Sequence, residues 1–252
     1  MTLSATLRDS KVPEVTLAFW ITKILATTLG EVGGDAVTMS MDLGYLLGTL
    51  LFAAVFAVAV AAQIRASGFR PWLYWAAIIA STTVGTTLAD YVDRSLGIGY
   101  SGGSSLLLAL LLGTLFCWQR STGSISVADI TSRRSELFYW LTITFSQTLG
   151  TALGDWAADT QGLGYTGGIV LFGGLLALVA ALHFGTRLSK TLLFWAAFIL
   201  TRPLGAVVGD FLDKPLDHGG LALSRYTASL VLLVAIAACI ALLPQRAARQ
   251  AH

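Results

Sequence analysis

Residues 140–155 read WLTITFSQTLGTALGD: a tryptophan, a glycine ten positions later, and an aspartate five positions after that. The same spacing occurs three more times, at 20–35, 75–90 and 195–210. No copy contains an insertion, and successive copies begin 55, 65 and 55 residues apart. Each aspartate ends a long apolar segment, where an ionisable side chain is costly unless it has a function. The chain therefore consists of tandem repeats with a carboxylate at one fixed position.

The composition is typical of a membrane protein. Apolar residues make up 55% of the 252 positions and charged residues 12%, whereas soluble domains carry about 25% charged residues. Apolar windows of about 20 residues are long enough to cross a ~30 Å hydrocarbon core. Eight such windows occur, at roughly 14–37, 44–65, 72–92, 100–119, 136–157, 165–186, 190–212 and 222–243. The first window follows a polar arm and is long enough to span, so we expect no cleavable signal peptide.

Pairs of windows coincide with the repeats. They give four units within a single membrane domain, residues 1–252: 14–65, 72–119, 136–186 and 190–243. An even number of spans inserts every unit in the same direction, and such parallel repeats are related by an axis along the membrane normal. We therefore predict an all-α polytopic membrane protein with eight transmembrane helices, arranged as four parallel two-helix repeats with pseudo-symmetry about the membrane normal. The segment 120–135, rich in Ser, Thr and Arg, is predicted to be a cytoplasmic linker.

Basic residues are divided unequally between the two ends of the predicted helices. Eleven lie at the termini and between repeats: Arg8, Lys11, Arg65, Arg70, Arg120, Arg133, Arg134, Arg187, Lys190, Arg246 and Arg249. Three lie in the connections within repeats: Arg94, Lys214 and Arg225. Because basic residues accumulate in cytoplasmic loops, both termini are predicted to be cytoplasmic. The repeated tryptophans are then expected to be aromatic anchors at the cytoplasmic interface.

Small residues predict close packing of the odd-numbered helices. A Gly-x-x-x-Gly pair directly precedes the aspartate in repeats one, three and four, as Gly30/Gly34, Gly150/Gly154 and Gly205/Gly209, and repeat two has Gly85/Ala89. Small residues four positions apart let two helix backbones approach closely in lipid. The pair alone is common in membrane helices, but its recurrence beside an aspartate is much more specific.

Polar residues precede the aspartates at helical spacing. Positions four and seven residues before each aspartate lie within about 40° of it on an α-helix. In the first three repeats these positions hold Glu31 and Thr28, Thr86 and Thr83, and Thr151 and Thr148; repeat four has Ala206 and Pro203. Three helices are therefore expected to present a polar stripe that leads to a carboxylate. The alternative is that these hydroxyls bond to their own helix backbone.

Two basic residues, Lys23 and Arg202, lie well inside predicted spans. An unpaired buried charge costs several kcal/mol, so each needs a carboxylate or carbonyl partner. Glu31 is the deepest acid and the candidate partner. Gln147 occupies in repeat three the position that Arg202 holds in repeat four. These departures from fourfold symmetry are where we expect function.

Two interpretations of the repeated aspartates stay open, a cation site and a structural network. Asp35, Asp90, Asp155 and Asp210 lie toward helix C-termini. The helix dipole disfavours an anion there, so each aspartate needs a cation, a proton or firm hydrogen bonds. Clustered carboxylates suit hard divalent cations such as Mn²⁺ or Mg²⁺. The four aspartates are therefore candidate metal ligands.

We prefer a transporter or channel for a cation, with proton coupling as an option. The four aspartates and Glu31 would bind the cation or protons. Counter-charge and a polar pathway would come from Lys23, Thr28, Thr83, Thr86, Gln147, Thr148, Thr151 and Arg202. The alternative is a non-transporting membrane scaffold or sensor in which the Asp, Thr and Gly motifs are structural.

The sequence does not predict an enzyme, because it has no Ser/His pair, no protease-type Asp pair and no His cluster with metal spacing. No cofactor is expected other than a bound metal cation. The expected partners are the lipid bilayer and a small cation, and no nucleic acid. The oligomeric state stays open, a homo-oligomer included.

With these motifs the chain resembles a bacterial family of integral membrane proteins defined by a tandem repeat of unknown function. That family has four copies of a two-span repeat with a characteristic tryptophan. The segment from Lys11-Val12-Pro13-Glu14-Val15 through Thr28-Leu29-Gly30-Glu31 is similar to the family's first repeat, and the resemblance covers essentially the whole chain. It implies the fold and a location in the bacterial cytoplasmic (inner) membrane, and it implies no activity.

Overall fold

The computed structural model describes residues 10–248, so Arg8 and Arg249 of the charge argument lie outside the described residues. This range contains eight long α-helices and no β-strand. They are α1 (Leu17–Asp35), α2 (Tyr45–Arg65), α3 (Pro71–Asp90), α4 (Tyr100–Thr122), α5 (Arg133–Asp155), α6 (Gly164–Gly185), α7 (Lys190–Asp213) and α8 (Arg225–Leu242). The prediction of an all-α protein with eight helices is confirmed.

The motif helices do not all end alike. α1, α3 and α5 end at the motif aspartate and continue into a five-residue π-helical turn, at Ala36–Ser40, Tyr91–Ser95 and Trp156–Thr160. α7 continues without such a turn to Asp213. Gly44 and Gly99, with φ of 74° and 78°, precede α2 and α4. Glycine adopts positive φ at little steric cost, so these two positions let the chain reverse after the π-helical turn.

The odd-numbered helices form a closed inner ring. α1 packs on α3, α3 on α5, α5 on α7, and α7 on α1. The even-numbered helices lie outside this ring: α2 packs on α3, α4 on α5, α6 on α7, and α8 on α1. Each even-numbered helix thus packs mainly on the odd-numbered helix of the following repeat, and α8 closes the circle.

Glycines lie where neighbouring ring helices meet. A Cβ atom added at the first motif glycine of each repeat would collide with the following ring helix, eight residues before that helix's aspartate. The pairs are Gly30 with Thr82, Gly85 with Gln147, Gly150 with Arg202, and Gly205 with Thr27. The second glycines approach the next helix one turn later, Gly34 at Thr86, Gly154 at Ala206 and Gly209 at Glu31. Four equivalent close approaches therefore fix the diameter of the ring.

The end of the ring where the odd-numbered helices begin, here the aromatic end, is filled by aromatic side chains. Trp75, Trp140 and Trp195 are at most 4% exposed. They belong to a cluster in which the hydroxyls of Tyr74 and Tyr139 lie 2.6 Å apart. The prediction that the tryptophans are interface anchors is wrong for these three, because ring helices enclose them.

Three segments outside the helices cover the aromatic end. The Ser10 hydroxyl donates to the Val127 carbonyl over 2.6 Å, and the Ala248 amide donates to the Val12 carbonyl over 2.9 Å. The chain before α1, the connection between α4 and α5, and the chain after α8 are thereby tied together.

The outer surface is apolar. Five helices of the described range are long and apolar enough to cross a membrane: α2, α4, α6, α7 and α8. The other three, α1, α3 and α5, carry many buried polar residues, which face the ring rather than its surroundings.

Candidate functional site

The four motif aspartates are buried together at the end of the ring opposite the aromatic cluster, here the acidic end. Asp35, Asp90, Asp155 and Asp210 are between 1% and 4% exposed. Each is the last residue of a ring helix or lies in its last turn. Since carboxylates in such a position are costly without a counter-charge, the surrounding basic groups decide what the cluster can do.

Two basic residues connect the aspartates in pairs. Lys214 forms ion pairs with Asp35 and, over 3.1 Å, with Asp210. Arg94 lies 2.9 Å from Asp90 and 3.7 Å from Asp155. Lys214 therefore joins repeats four and one, and Arg94 joins repeats two and three. The acidic end has twofold rather than fourfold pseudo-symmetry.

Lys214 lies just beyond the end of α7, and the aspartates around it favour its charged form. Burial alone would lower the pKa of its ammonium, but Asp210, Asp35 and Asp213 raise this pKa well above its ordinary value. A further basic residue, Arg225 at the start of α8, pairs with Asp213 and lies 3.8 Å from Asp35. The first and last repeats are thus held together by charge at the acidic end.

One turn deeper, each of the four ring helices contributes one side chain to a single contact. Arg202 of α7 is fully buried, and its Nη2 donates to Glu31 Oε2 of α1 over 3.0 Å. The same nitrogen donates to the hydroxyls of Thr86 in α3 and Thr151 in α5. Glu31, Thr86 and Thr151 all stand four residues before their aspartates. In repeat four that position is Ala206, which has no polar group, and the contact is made by Arg202 from one turn below.

Below Arg202 the polar contacts weaken. Gln147 Nε2 donates to Ser81 Oγ over 3.4 Å. The Lys23 ammonium is buried, 3.4 Å from the Thr201 hydroxyl and 4.2 Å from the centre of the Phe198 ring. Within the described residues no carboxylate forms an ion pair with Lys23. Glu31 thus lies with Arg202 and not with Lys23.

The threonines of the predicted stripe divide into two groups. Thr28, Thr83 and Thr148 donate to carbonyls of their own helices over 3.0, 2.9 and 3.0 Å. These three therefore behave as the backbone-bonding alternative describes. Thr86 and Thr151 contact the central arginine, although the Thr86 hydroxyl also lies 3.2 Å from the Thr82 carbonyl of its own helix.

Three of the buried carboxylates are close enough to share one cation. Glu31, Asp155 and Asp210 each place an oxygen within 4.8 Å of the other two. This set, from three different ring helices, is here the three-acid site. Asp35, Asp210 and Asp213 form a second trio of the same kind. Basic groups contact both trios: Arg202, Arg94 and Lys214 contact the first, and Lys214 and Arg225 contact the second.

The charges around the acidic end do not balance. Among the described residues, the carboxylates that form ion pairs at the acidic end are Glu31, Asp35, Asp90, Asp155, Asp210 and Asp213. The basic groups that pair with them are Arg94, Arg202, Lys214 and Arg225. The six carboxylates therefore exceed the four basic groups by two formal negative charges. Asp35 Oδ1 and Asp213 Oδ1 are buried and accept no hydrogen bond. One divalent cation or two protons would neutralise this excess.

Sequence reasoning identified the carboxylates but not the residues that connect them. Arg94 and Lys214 were predicted only to be basic residues of the connections within repeats. Both stand four residues after a motif aspartate, in repeats two and four. That spacing places a side chain on the same helix face and is the signal that could have found them.

Comparison with known proteins gives one family. No curated protein and no solved structure matches the chain. The family described as "Repeat of Unknown Function (DUF347)" matches four successive segments, residues 18–69, 73–124, 138–189 and 193–245. Each segment covers most of one ring helix and all of the outer helix that follows it. The family expected from the tryptophan motif is confirmed: the chain belongs to the DUF347 repeat family and contains four copies of its repeat.

Proposed function

We propose that the protein is a multipass transporter or channel for a divalent cation, such as Mn²⁺ or Mg²⁺. Its eight helices would cross the bacterial cytoplasmic membrane, with both termini and the aromatic end on the cytoplasmic side. The apolar outer helices and the enclosed polar residues of α1, α3 and α5 support the membrane location. The bias of basic residues toward the termini and the connections between repeats supports the orientation.

The three-acid site is the observation on which the proposed function rests. Its oxygens come from three helices around one axis, and hard divalent cations prefer oxygen ligands. The formal excess of two negative charges matches one divalent cation. This excess, counted over the whole acidic end, also matches two protons, so an exchange of two protons for one cation leaves the charge of the acidic end unchanged.

Arg202 is the gate in this proposal. Its Nη2 lies 3.0 Å from Glu31 Oε2, and Glu31 is a carboxylate that a cation in the three-acid site would also bind. A cation that takes Glu31 therefore releases Arg202 to its remaining contacts, Thr86 and Thr151. The Lys23 ammonium, buried deeper in the ring, would repel a cation that passed Arg202.

Uptake of radiolabelled Mn²⁺ into proteoliposomes tests the proposal. Glu31→Gln and Asp155→Asn should reduce the initial rate to that of protein-free liposomes, because each removes a charged ligand. Asp159→Asn is the matched control, since Asp159 lies four residues after Asp155 and is exposed. Unchanged uptake in both site variants, at normal protein recovery, would contradict these assignments.

A non-transporting scaffold or sensor is the second candidate, and the paired ion bridges favour it. Arg94 and Lys214 already connect neighbouring repeats without any added cation. In that case Asp155→Asn lowers thermal stability and there is no Mn²⁺ uptake to lose. A ligand present at 100 times its Kd stabilises a protein by about 2.7 kcal/mol. Absence of any Mn²⁺-dependent rise in Tm would therefore favour the scaffold.

A further inference from the structure

A groove of about 590 Å³ lies on the outside of the ring, between α1, α6 and α7. Its walls are mostly apolar and include Trp20, Ile24, Leu176, Phe194 and Ala197. Such a volume is within the range of ~300–1,000 Å³ that encloses small ligands. We propose that the groove binds one acyl chain of an anionic phospholipid, with its headgroup beside Lys190. This inference rests on the proposed membrane location and not on cation transport.

The length of the groove matches one leaflet. It runs along α7 from Lys190 at the start of the helix to Thr201. Eleven residues of α-helix rise about 16 Å, which is about half of a ~30 Å hydrocarbon core. The groove therefore reaches from the membrane surface at the aromatic end to the midplane, as a single acyl chain does.

The mouth of the groove favours a negative headgroup. Lys190 lines it, and the Lys190 ammonium donates to the His183 carbonyl at the end of α6. Arg187 is exposed in the connection between α6 and α7. α1 and α7 both begin at this mouth, where helix N-termini add partial positive charge. None of the described residues that line the groove is acidic.

The inner end of the groove brings the lipid close to the buried lysine. Thr201 lines the groove, and its hydroxyl contacts the ammonium of Lys23. An acyl chain that ends at Thr201 keeps water from reaching Lys23 through the α1–α7 side of the ring. The bound lipid is thus part of the seal around the axis.

Native mass spectrometry of the delipidated full-length protein tests this inference. The probes are phosphatidylglycerol and phosphatidylcholine with identical acyl chains, added at equal concentration. The wild-type protein should retain one phosphatidylglycerol, about fivefold more tightly than phosphatidylcholine, as expected for one basic residue near an anionic headgroup. Ala180→Trp should abolish retention, because Ala180 is exposed and lines the groove. Lys190→Gln should prefer phosphatidylglycerol clearly less than the wild type does.

Matched controls lie on α4, away from the groove. Ala109→Trp and Arg120→Gln change exposed residues of that helix and should leave retention unchanged. Equal retention of phosphatidylglycerol by the wild type and Ala180→Trp would overturn the inference, as would a Lys190→Gln variant whose preference equals that of the wild type. If Ala180→Trp does not fold, Lys190→Gln alone decides. Release of the protein from cells without detergent would instead contradict the membrane location.

Discussion

The ion pair between Arg202 and Glu31 needs neighbouring residues without bulky side chains. Gly150 has no side chain where the stem of Arg202 passes, and Gly209 has none where the stem of Glu31 passes. Two hydroxyls, from Thr86 and Thr151, share Nη2 of the guanidinium with Glu31, whereas Nε and Nη1 are buried without a hydrogen-bond partner. A buried pair of this kind adds little net stability, but loss of one partner leaves an uncompensated charge.

We therefore expect Arg202→Met to destabilise the protein by about 3–5 kcal/mol, because Glu31 is left buried without its counter-charge. The double variant Glu31→Met/Arg202→Met should recover most of that loss, since both charges are then removed. Thermal unfolding in detergent measures both. A double variant no more stable than Arg202→Met alone would show that the pair does more than compensate charge.

Lys23, unlike Arg202, is a buried cation that forms no ion pair with a carboxylate among the described residues. Its buried ammonium contacts a hydroxyl and an aromatic ring, which compensate less than a carboxylate would. Lys23→Met should accordingly raise Tm, and under the proposed function it should also change Mn²⁺ uptake. Lys11→Met is the control and should lower Tm or leave it unchanged, because Lys11 forms a 2.8 Å ion pair with Glu136. A lower Tm for Lys23→Met would mean that the ammonium is required for folding.

At the scale of helices, packing in the ring depends on glycine at particular positions rather than on glycine in general. The first motif glycine of each repeat faces the backbone or the side chain of the next ring helix. Other helical glycines, such as Gly173 of α6, face open space. The same residue type thus has two roles in neighbouring helices.

Gly150→Ala should destabilise the protein, because the new methyl group would collide with the stem of Arg202. Gly173→Ala should be neutral or stabilising by about 0.5–1 kcal/mol, since alanine is the better helix former. Thermal unfolding of both variants checks the contrast. Equal Tm values would show that the ring relaxes to admit a side chain.

At the scale of the whole molecule, the outer helices bind the repeats into a circle. α4 packs on α5 and α8 packs on α1, so each half of the chain ends in a helix whose partner lies in the other half. Neither half can bury both its ring contacts and its last outer helix by itself.

Cutting the chain between Gly123 and Ser124 should therefore give two halves that fold together and not separately. Co-expression of residues 1–123 and 124–252 with different tags should yield one complex of both halves, whereas either half expressed alone should aggregate or be degraded. Affinity purification followed by size-exclusion chromatography checks this. A monodisperse, folded half would contradict the circular packing.

The sequence predicted the helices and the repeat because both depend on local pattern: apolar length and a fixed spacing of Trp, Gly and Asp. It also brought out Glu31 and Arg202, because charges inside apolar windows are conspicuous. It did not predict the bridging roles of Arg94 and Lys214, which depend on which helices become neighbours. For the same reason the burial of Trp75 was missed, since an interface anchor and an enclosed tryptophan look alike in sequence.

The pairing at the acidic end has an evolutionary consequence. Arg94 and Lys214 are 120 residues apart, as are Asp35 and Asp155, so the two halves of the chain correspond to one another. A half-length ancestor could have built the same pairs as a symmetric dimer. In such a dimer the twofold symmetry repeats every side chain. Two copies of the arginine would then compete for the one position at the centre of the ring. A single fused chain is free of that restriction, so one Arg202 can face one Glu31.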